Sequence, residues 1–146
     1  MNMDEDDFLI DSEAELRALY GEPDELPVAK VLPRLDAHCR QFIAASPFLV
    51  LATHDGGGRC DASPRGDAPG FVDVIDDTHV FMADKAGNNR IDSLLNILRA
   101  PDIGMLFLIP GVRETLRING VARITRAPGL LARHTENGHT PKVGLL

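Results

Sequence analysis

Two short segments carry the residues best suited to chemistry. Ala62-Ser63-Pro64-Arg65-Gly66-Asp67 is answered about twenty residues later by Lys85-Ala86-Gly87-Asn88-Asn89-Arg90. Each sets a guanidinium beside glycine-loosened backbone, and the second runs directly into a helical pattern. Two converging arginines and the free N–H groups of a helix start are the parts of a phosphate-binding arrangement. The pattern therefore points to an anionic small molecule.

In the first segment proline fixes the approach to Arg65, glycine permits a close approach to the backbone, and Ser63 adds a hydroxyl donor. Asp67 has two readings. It accepts from a ligand hydroxyl or N–H, or it pairs with Arg65 inside a polar loop of the kind that collects Gly, Pro and Asp for turn reasons. In the second segment Asn88 and Asn89 are natural caps for a helix beginning at Arg90. Capping alone explains one asparagine. The pair, with Gly87 before it and Arg90 after it, exposes several donors at the positive end of a helix dipole. Arg117 and Arg123 stand six apart and would share a face of one continuous strand. Without a ligand they read as solvent-facing rungs.

Catalytic side-chain sets are absent from the pattern. The chain has no Gly-x-Ser-x-Gly elbow, no Walker sequence and no Gly-x-Gly-x-x-Gly before a helix. Its five histidines lack ligand spacing, and Cys39 and Cys60 form neither a metal motif nor a disulfide framework. Both cysteines are expected as reduced thiols in or near the core, and no metal site is expected. A phosphate-binding chain without acid–base machinery suggests that a cofactor supplies the chemistry.

The elements that must position these residues read as follows. Residues 1–8 are a charged tail, expected to be mobile. Ser12-x-x-Glu15 is a capping box for a short helix that Gly21 stops. Pro23, Pro27 and Pro33 make the next stretch a connector, with one turn near Val28–Val31. A second helix is expected over about 35–45, with Leu35, His38, Cys39, Phe42 and Ile43 on its inner face. Strands follow over 48–54, 59–63, 71–75 and 79–83. The next helix, 90–99, has an apolar stripe of Ile91, Leu94, Leu95 and Leu98. Strands 103–109, 115–118 and 121–125 come next, then a short helix over 130–136, Asn137-Gly138 and an apolar end, 143–146. Asn119-Gly120 is either a type I′ hairpin turn or a bulge in one long strand. Links this short favour antiparallel neighbours, so the expected architecture is a mostly antiparallel barrel with peripheral helices.

Charge is uneven along the 146 residues, whose net charge is −7. Residues 1–58 hold twelve acids against four bases, and residues 59–146 hold ten against eleven. The acidic half argues against nucleic acid and anionic membranes as partners. No apolar run approaches the roughly 18 residues of a membrane span, and the acidic start is unlike a signal peptide, so a cytoplasmic protein is expected.

The stretches 61–72, 83–94, 104–111 and 115–123, with their Ser-Pro-Arg-Gly-Asp and Gly-Asn-Asn-Arg signatures, resemble the FMN-binding flavoproteins related to pyridoxamine 5′-phosphate oxidase, in an uncharacterised bacterial branch. The likeness covers roughly residues 35–146. It implies a mainly β fold with peripheral helices (α+β), a split β-barrel of antiparallel Greek-key type. It also implies a homodimer with FMN bound at the interface. By that likeness Ser63, Arg65 and Asp67 face the flavin and its ribityl phosphate. Asn88, Asn89 and Arg90 hold the phosphate, and Arg117 approaches from the sheet toward the partner's flavin. The family favours one bent strand across Asn119-Gly120. It implies an FMN-dependent oxidoreductase acting on a small molecule, or alternatively a non-catalytic protein that binds flavin, haem or deazaflavin. Two features depart from the oxidase proper. The chain reads as shortened at its C-terminus, where relatives continue for a strand or more, and an Arg-x-x-x-Leu-Lys pattern is missing. The expected division is residues 1–33 as an acidic helix and Pro-rich connector, and residues 34–146 as the FMN-binding split-barrel domain.

Overall fold

In this computed structural model, residues 9–24, 31–85, 87 and 89–146 are described. The charged tail 1–8, most of the turn sought near Val28–Val31, and Asn88 lie outside them. The chain divides into two compact units, 1–33 and 34–146.

The first unit holds helix α1, Glu13–Tyr20. Ser12 caps it by accepting from the Glu15 N–H at 3.3 Å, and Gly21 ends it at φ +72°, donating to the Arg17 carbonyl. Only glycine takes that positive-φ cap cheaply.

In the second unit Asp36 caps α2, Ala37–Ala45, by accepting from the Cys39 N–H at 2.8 Å. Cys39, Phe42 and Ile43 form its buried face, while His38 is exposed. The strands are β1 Phe48–His54, β2 Cys60–Gly66, β3 Val72–Val74 and β4 Val80–Ala83. Helix α3, Asp92–Arg99, precedes β5 Asp102–Leu108, β6 Leu116–Val121 and β7 Ile124–Thr125. Helix α4, Pro128–Ala132, and β8, Gly144–Leu145, complete the chain. The eight strands form two antiparallel four-stranded sheets, β2-β1-β5-β6 and β3-β4-β8-β7. This is the mainly β, α+β, split-barrel architecture expected. Leu49, Leu51, Met105 and Phe107 of the first sheet join Val72, Met82 and Leu145 of the second, together with Phe42, Ile43, Leu94 and Ile97 from the helices, in one core.

Asn119-Gly120 is not a hairpin turn. β6 runs straight through it in register with β5, Asn119 opposite Gly104 and Gly120 opposite Ile103. The bend falls two residues later. Buried Ala122 donates to the Pro101 carbonyl at 2.9 Å, and Arg123 and Leu146 exchange backbone bonds at 2.7 and 2.9 Å. The chain thereby passes from one sheet to the other. The Asn-Gly turn chemistry is used instead at Asn137-Gly138, where φ values of +49° and +76° close a two-residue link between Glu136 and His139. Gly120 has no positive φ, and a methyl group there would meet open space. Gly120→Ala is therefore expected to change unfolding free energy by less than about 0.5 kcal/mol in a denaturant titration, as a surface substitution does.

Three expectations about the helices and thiols are corrected. α3 starts at Asp92 rather than Arg90. Its N-cap is Ile91, at φ +52° with no side-chain cap bond, so Asn89 does not cap it. Its buried face is Ser93, Leu94 and Ile97, and Asn96 donates to the buried Thr53 hydroxyl at 3.0 Å. Ile91, Leu95 and Leu98 therefore point outward, Leu98 being 72% exposed. α4 is Pro128–Ala132, ending four residues short of the expected 130–136 helix. Of the two thiols, Cys39 is buried but Cys60 is exposed.

Candidate functional site

Strand alternation places the first segment. Arg65 lies opposite Leu49 and Ser63 opposite Leu51 in the β1–β2 register. Leu49 and Leu51 are fully buried, so Ser63 and Arg65 share the inward face of the edge strand β2. At that edge the inward side chains are half-buried rather than sealed, which a guanidinium requires. Arg65 Nε donates to the Ser63 hydroxyl at 3.1 Å, and Nη1 donates to Asp84 Oδ1 at 2.8 Å. The two side chains of that ion pair are 23% and 24% exposed.

Asp67 does not pair with Arg65. Its partner is Lys85, whose ammonium also bonds Glu136 at 2.7 Å. The Lys85 bond, then the Ala68 N–H, holds the Asp67 carboxyl below the usual carboxylate range. Asp67 and Glu136 in turn raise the Lys85 ammonium above its ordinary value. Residues 63–67 and 84–85 therefore meet in space through two ion pairs. Backbone bonds hold both segments in place, Asp67 N–H to the Pro47 carbonyl and Asp84 N–H to the Val143 carbonyl, each at 3.0 Å. Gly66 serves packing: a Cβ there would lie 3.2 Å from the Pro47 carbonyl oxygen and 3.3 Å from the Phe48 ring.

The lowered Asp67 value has a definite sign. Such a carboxylate stabilises the fold at neutral pH, and that contribution is lost as pH falls through its folded-state value. Asp67→Asn is expected to flatten the loss of stability below about pH 4, read by thermal melts across an acid series.

The rest of the expected site divides. Asn89 takes a left-handed φ of +61°, which asparagine tolerates. Ile91 does the same at φ +52°, where a β-branched side chain costs of order 1–3 kcal/mol. Arg90 pairs with Asp92 at 2.8 Å and is largely exposed. Asn88 lies outside the described residues. Arg117 sits opposite Leu106 on the outward face of the first sheet, away from Ser63 and Arg65. The bend at Ala122–Arg123 breaks its face-sharing with Arg123. Arg123 instead rims a cavity of about 380 Å³ floored by Val80, Ile103, Met105, Ile118 and Leu145. That cavity lies at the start of β4, and the Arg65–Asp84 pair just past its end.

Residues 133–136 also belong to this polar cluster, and nothing in the linear pattern marked them. His134 Nε2 meets Asp73 Oδ2 at 3.0 Å, Arg133 approaches the same oxygen at 3.6 Å, and Glu136 holds Lys85. The partners lie 51 to 61 residues apart, so no local spacing reveals them. A lone aspartate in a short apolar strand, Asp73 between Val72 and Val74, was the available signal.

Among the described residues, no group of three or more His, Cys, Asp or Glu side chains is placed to hold a metal, and no helix is long and apolar enough to cross a membrane.

Comparison with known proteins agrees with this architecture. The model of the pyridoxamine 5′-phosphate oxidase family matches residues 35–140. Among solved structures, Group A Streptococcus HupZ superposes with a TM-score of 0.60 at 19% identity, covering 76% of this chain and 86% of that one. A single-substitution histidine-to-alanine variant of the same HupZ gives 0.62 at 17%, covering 76% and 92%. A protein from Lactobacillus delbrueckii described as a candidate pyridoxamine 5′-phosphate oxidase gives 0.61 at 20%, covering 80% and 92%. No curated protein matches at a significant level. The family match spans most of the chain and falls on the unit that holds both sheets and the ion-paired cluster: this protein belongs to the pyridoxamine 5′-phosphate oxidase family.

Proposed function

We propose that residues 34–146 are an FMN-binding domain and that the protein is an FMN-dependent oxidoreductase acting on a small molecule. The observation that carries this reading is the convergence of Ser63 and Arg65 with the 84–85 segment that leads to α3. The donor set suits a phosphate. Arg65 has five N–H donors, of which the bonds to Ser63 and Asp84 use two. The first N–H groups of α3 have no side-chain cap, whereas α1 and α2 are capped by Ser12 and Asp36. A phosphate ahead of Asp92 would take up such donors.

In this reading Ser63, Arg65, Asn88, Asn89 and Arg90 bind the phosphate and ribityl chain. Asp67 orients Lys85, and the Asp84 carboxylate keeps the Arg65 fork from swinging into solvent. FMN, when bound, supplies the redox chemistry, which agrees with the lack of a side-chain catalytic set in the sequence.

The proposal includes a homodimer with the flavin between subunits. Two apolar surfaces support it. Phe48, Val50, Leu106 and Leu108 lie on the outward face of the first sheet near Arg117, and Ile91, Leu95 and Leu98 form an exposed stripe on α3. Contiguous apolar patches of this kind mark association surfaces. Arg117 would then reach toward the partner's flavin.

The test is the absorbance spectrum of freshly purified protein, followed by FMN titration and NADPH addition. A flavin spectrum that bleaches with NADPH is the expected result. A flavin spectrum that no donor reduces would support a non-catalytic flavin carrier. A haem Soret band would replace the cofactor assignment, and a colourless protein that takes up no FMN would end this reading.

A further inference from the structure

The cavity at the start of β4 has no role in the proposed phosphate site. Its walls come from both sheets. Ile103 and Met105 of β5 and Ile118 of β6 stand on one side, Val80 of β4 and Leu145 of β8 on the other, with Ala122 at the bend that joins the sheets. Met105, Ala122 and Leu145 are buried. The cavity measures about 380 Å³, within the range of about 300–1,000 Å³ usual for ligand pockets. An engineered apolar cavity of about 150 Å³ already takes up benzene. This one has room for a molecule of one or two rings.

Gly120 is a second, independent observation. In the β5–β6 ladder it stands opposite Ile103, on the same face as Ile118, which stands opposite the buried Met105. A side chain at this position would therefore enter the cavity. Neither backbone nor packing within the chain calls for glycine here. Its φ is not positive, and a Cβ would meet no heavy atom within 4 Å beyond its chain neighbours. Other strand glycines differ. A Cβ on Gly104 would lie 3.2 Å from Asn119 Oδ1, and one on Gly144 would overlap the Phe81 ring. Glycine weakens a strand interior, and one use of it there is to let a ligand come close to the backbone.

The lining also selects the ligand's charge. Among the described residues no Asp, Glu or Lys side chain lines the cavity. Arg123 and His79 stand at the rim and are exposed, and His79 already meets Asp76 at 3.0 Å. An ionised group carried onto the apolar floor would lose its water and find no partner. We propose that this cavity binds a small uncharged molecule of one or two rings. Its apolar body lies over Gly120 among Val80, Ile118 and Leu145, and its carbonyl or hydroxyl oxygen stays at the rim beside Arg123. The site stands at the opposite end of β4 from the Arg65–Asp84 pair and does not rest on the FMN reading.

Acetophenone is the probe, titrated into the full chain and followed through the methyl NMR signals of Ile103, Met105, Ile118 and Leu145. Saturable shifts centred on these methyls are expected in wild-type protein. Benzoate, which carries a carboxylate in place of the ketone, should bind at least about threefold more weakly. Gly120→Leu places a side chain where the ring would lie. It should weaken acetophenone by about tenfold or more while keeping a cooperative thermal melt. Should that variant fail to fold, the wild-type shift map and the benzoate comparison decide the matter. An absence of saturation, shifts centred elsewhere, tighter binding of benzoate, or unchanged affinity in folded Gly120→Leu overturns the proposal. Added FMN should leave the acetophenone affinity unchanged, and competition between the two overturns the assignment of a separate site. A protein that binds acetophenone here but never takes up FMN supports this site and ends the FMN reading.

Discussion

Gly144→Ala is expected to lower the unfolding free energy by about 3 kcal/mol, toward the upper end of the cost of overpacking a filled core. Gly144 lies in β8 between β4 and β7. A Cβ there would overlap the Phe81 ring and stand 3.0 Å from the Met82 carbonyl oxygen. Phe81 is fully buried, and its ring also packs against the His134 ring, centroids 5.5 Å apart. Neither neighbour can give way cheaply, because one is a packed aromatic and the other is backbone. A denaturant titration of the single variant measures the loss. Phe81→Leu in the same chain should recover part of it, since the shorter side chain vacates the space the new methyl needs. A Gly144→Ala protein as stable as wild type, or a double variant whose losses simply add, would show that β8 does not seat against Phe81.

The second large effect is on ligand affinity. Arg65→Ala should weaken FMN binding by about 1.5–3 kcal/mol, the range for hydrogen bonds to charged groups. That is roughly ten- to a hundredfold in Kd, read by quenching of flavin fluorescence. The same substitution removes the partner of the half-buried Asp84. Asp84→Asn separates the two consequences: it keeps the cation but removes the carboxylate that positions it, so FMN affinity should fall by less than in Arg65→Ala. Arg90→Ala is expected to weaken FMN as well, through the loss of a cation ahead of α3. Unchanged affinity in both arginine variants would reject the placement of the phosphate between β2 and the 84–91 segment.

Local signals in the chain were legible where the physics is local. Ser12 caps α1 through a bond three residues away, and Gly21 ends it through its own φ, so neighbouring residues suffice to read them. The strands β1 and β5 are apolar runs and were legible as strands, but which of their faces is buried was not. The two anion-type segments were visible as loops of Pro, Gly, Ser and Arg, and the order of motifs was enough to point to the family.

Tertiary structure decided what sequence spacing leaves degenerate. Asn119-Gly120 and Asn137-Gly138 are the same dipeptide, yet only the second turns. At 119–120 the ladder with β5 continues, and its backbone bonds outweigh the turn preference of two residues. The apolar positions of α3 fit more than one helical face, and the bond from Asn96 to Thr53 turns Leu98 outward. The partners of Arg65 and Asp67 were settled by strand alternation together with the arrival of β4 alongside, which brought Asp84 to one and Lys85 to the other. The His134–Asp73 contact depends on a chain separation of 61 residues. Sequence determined which residues could carry charge and where the chain could turn. Which charges meet was decided by the packing of two sheets, because a side chain's partner is set by distance in space and not by distance along the chain.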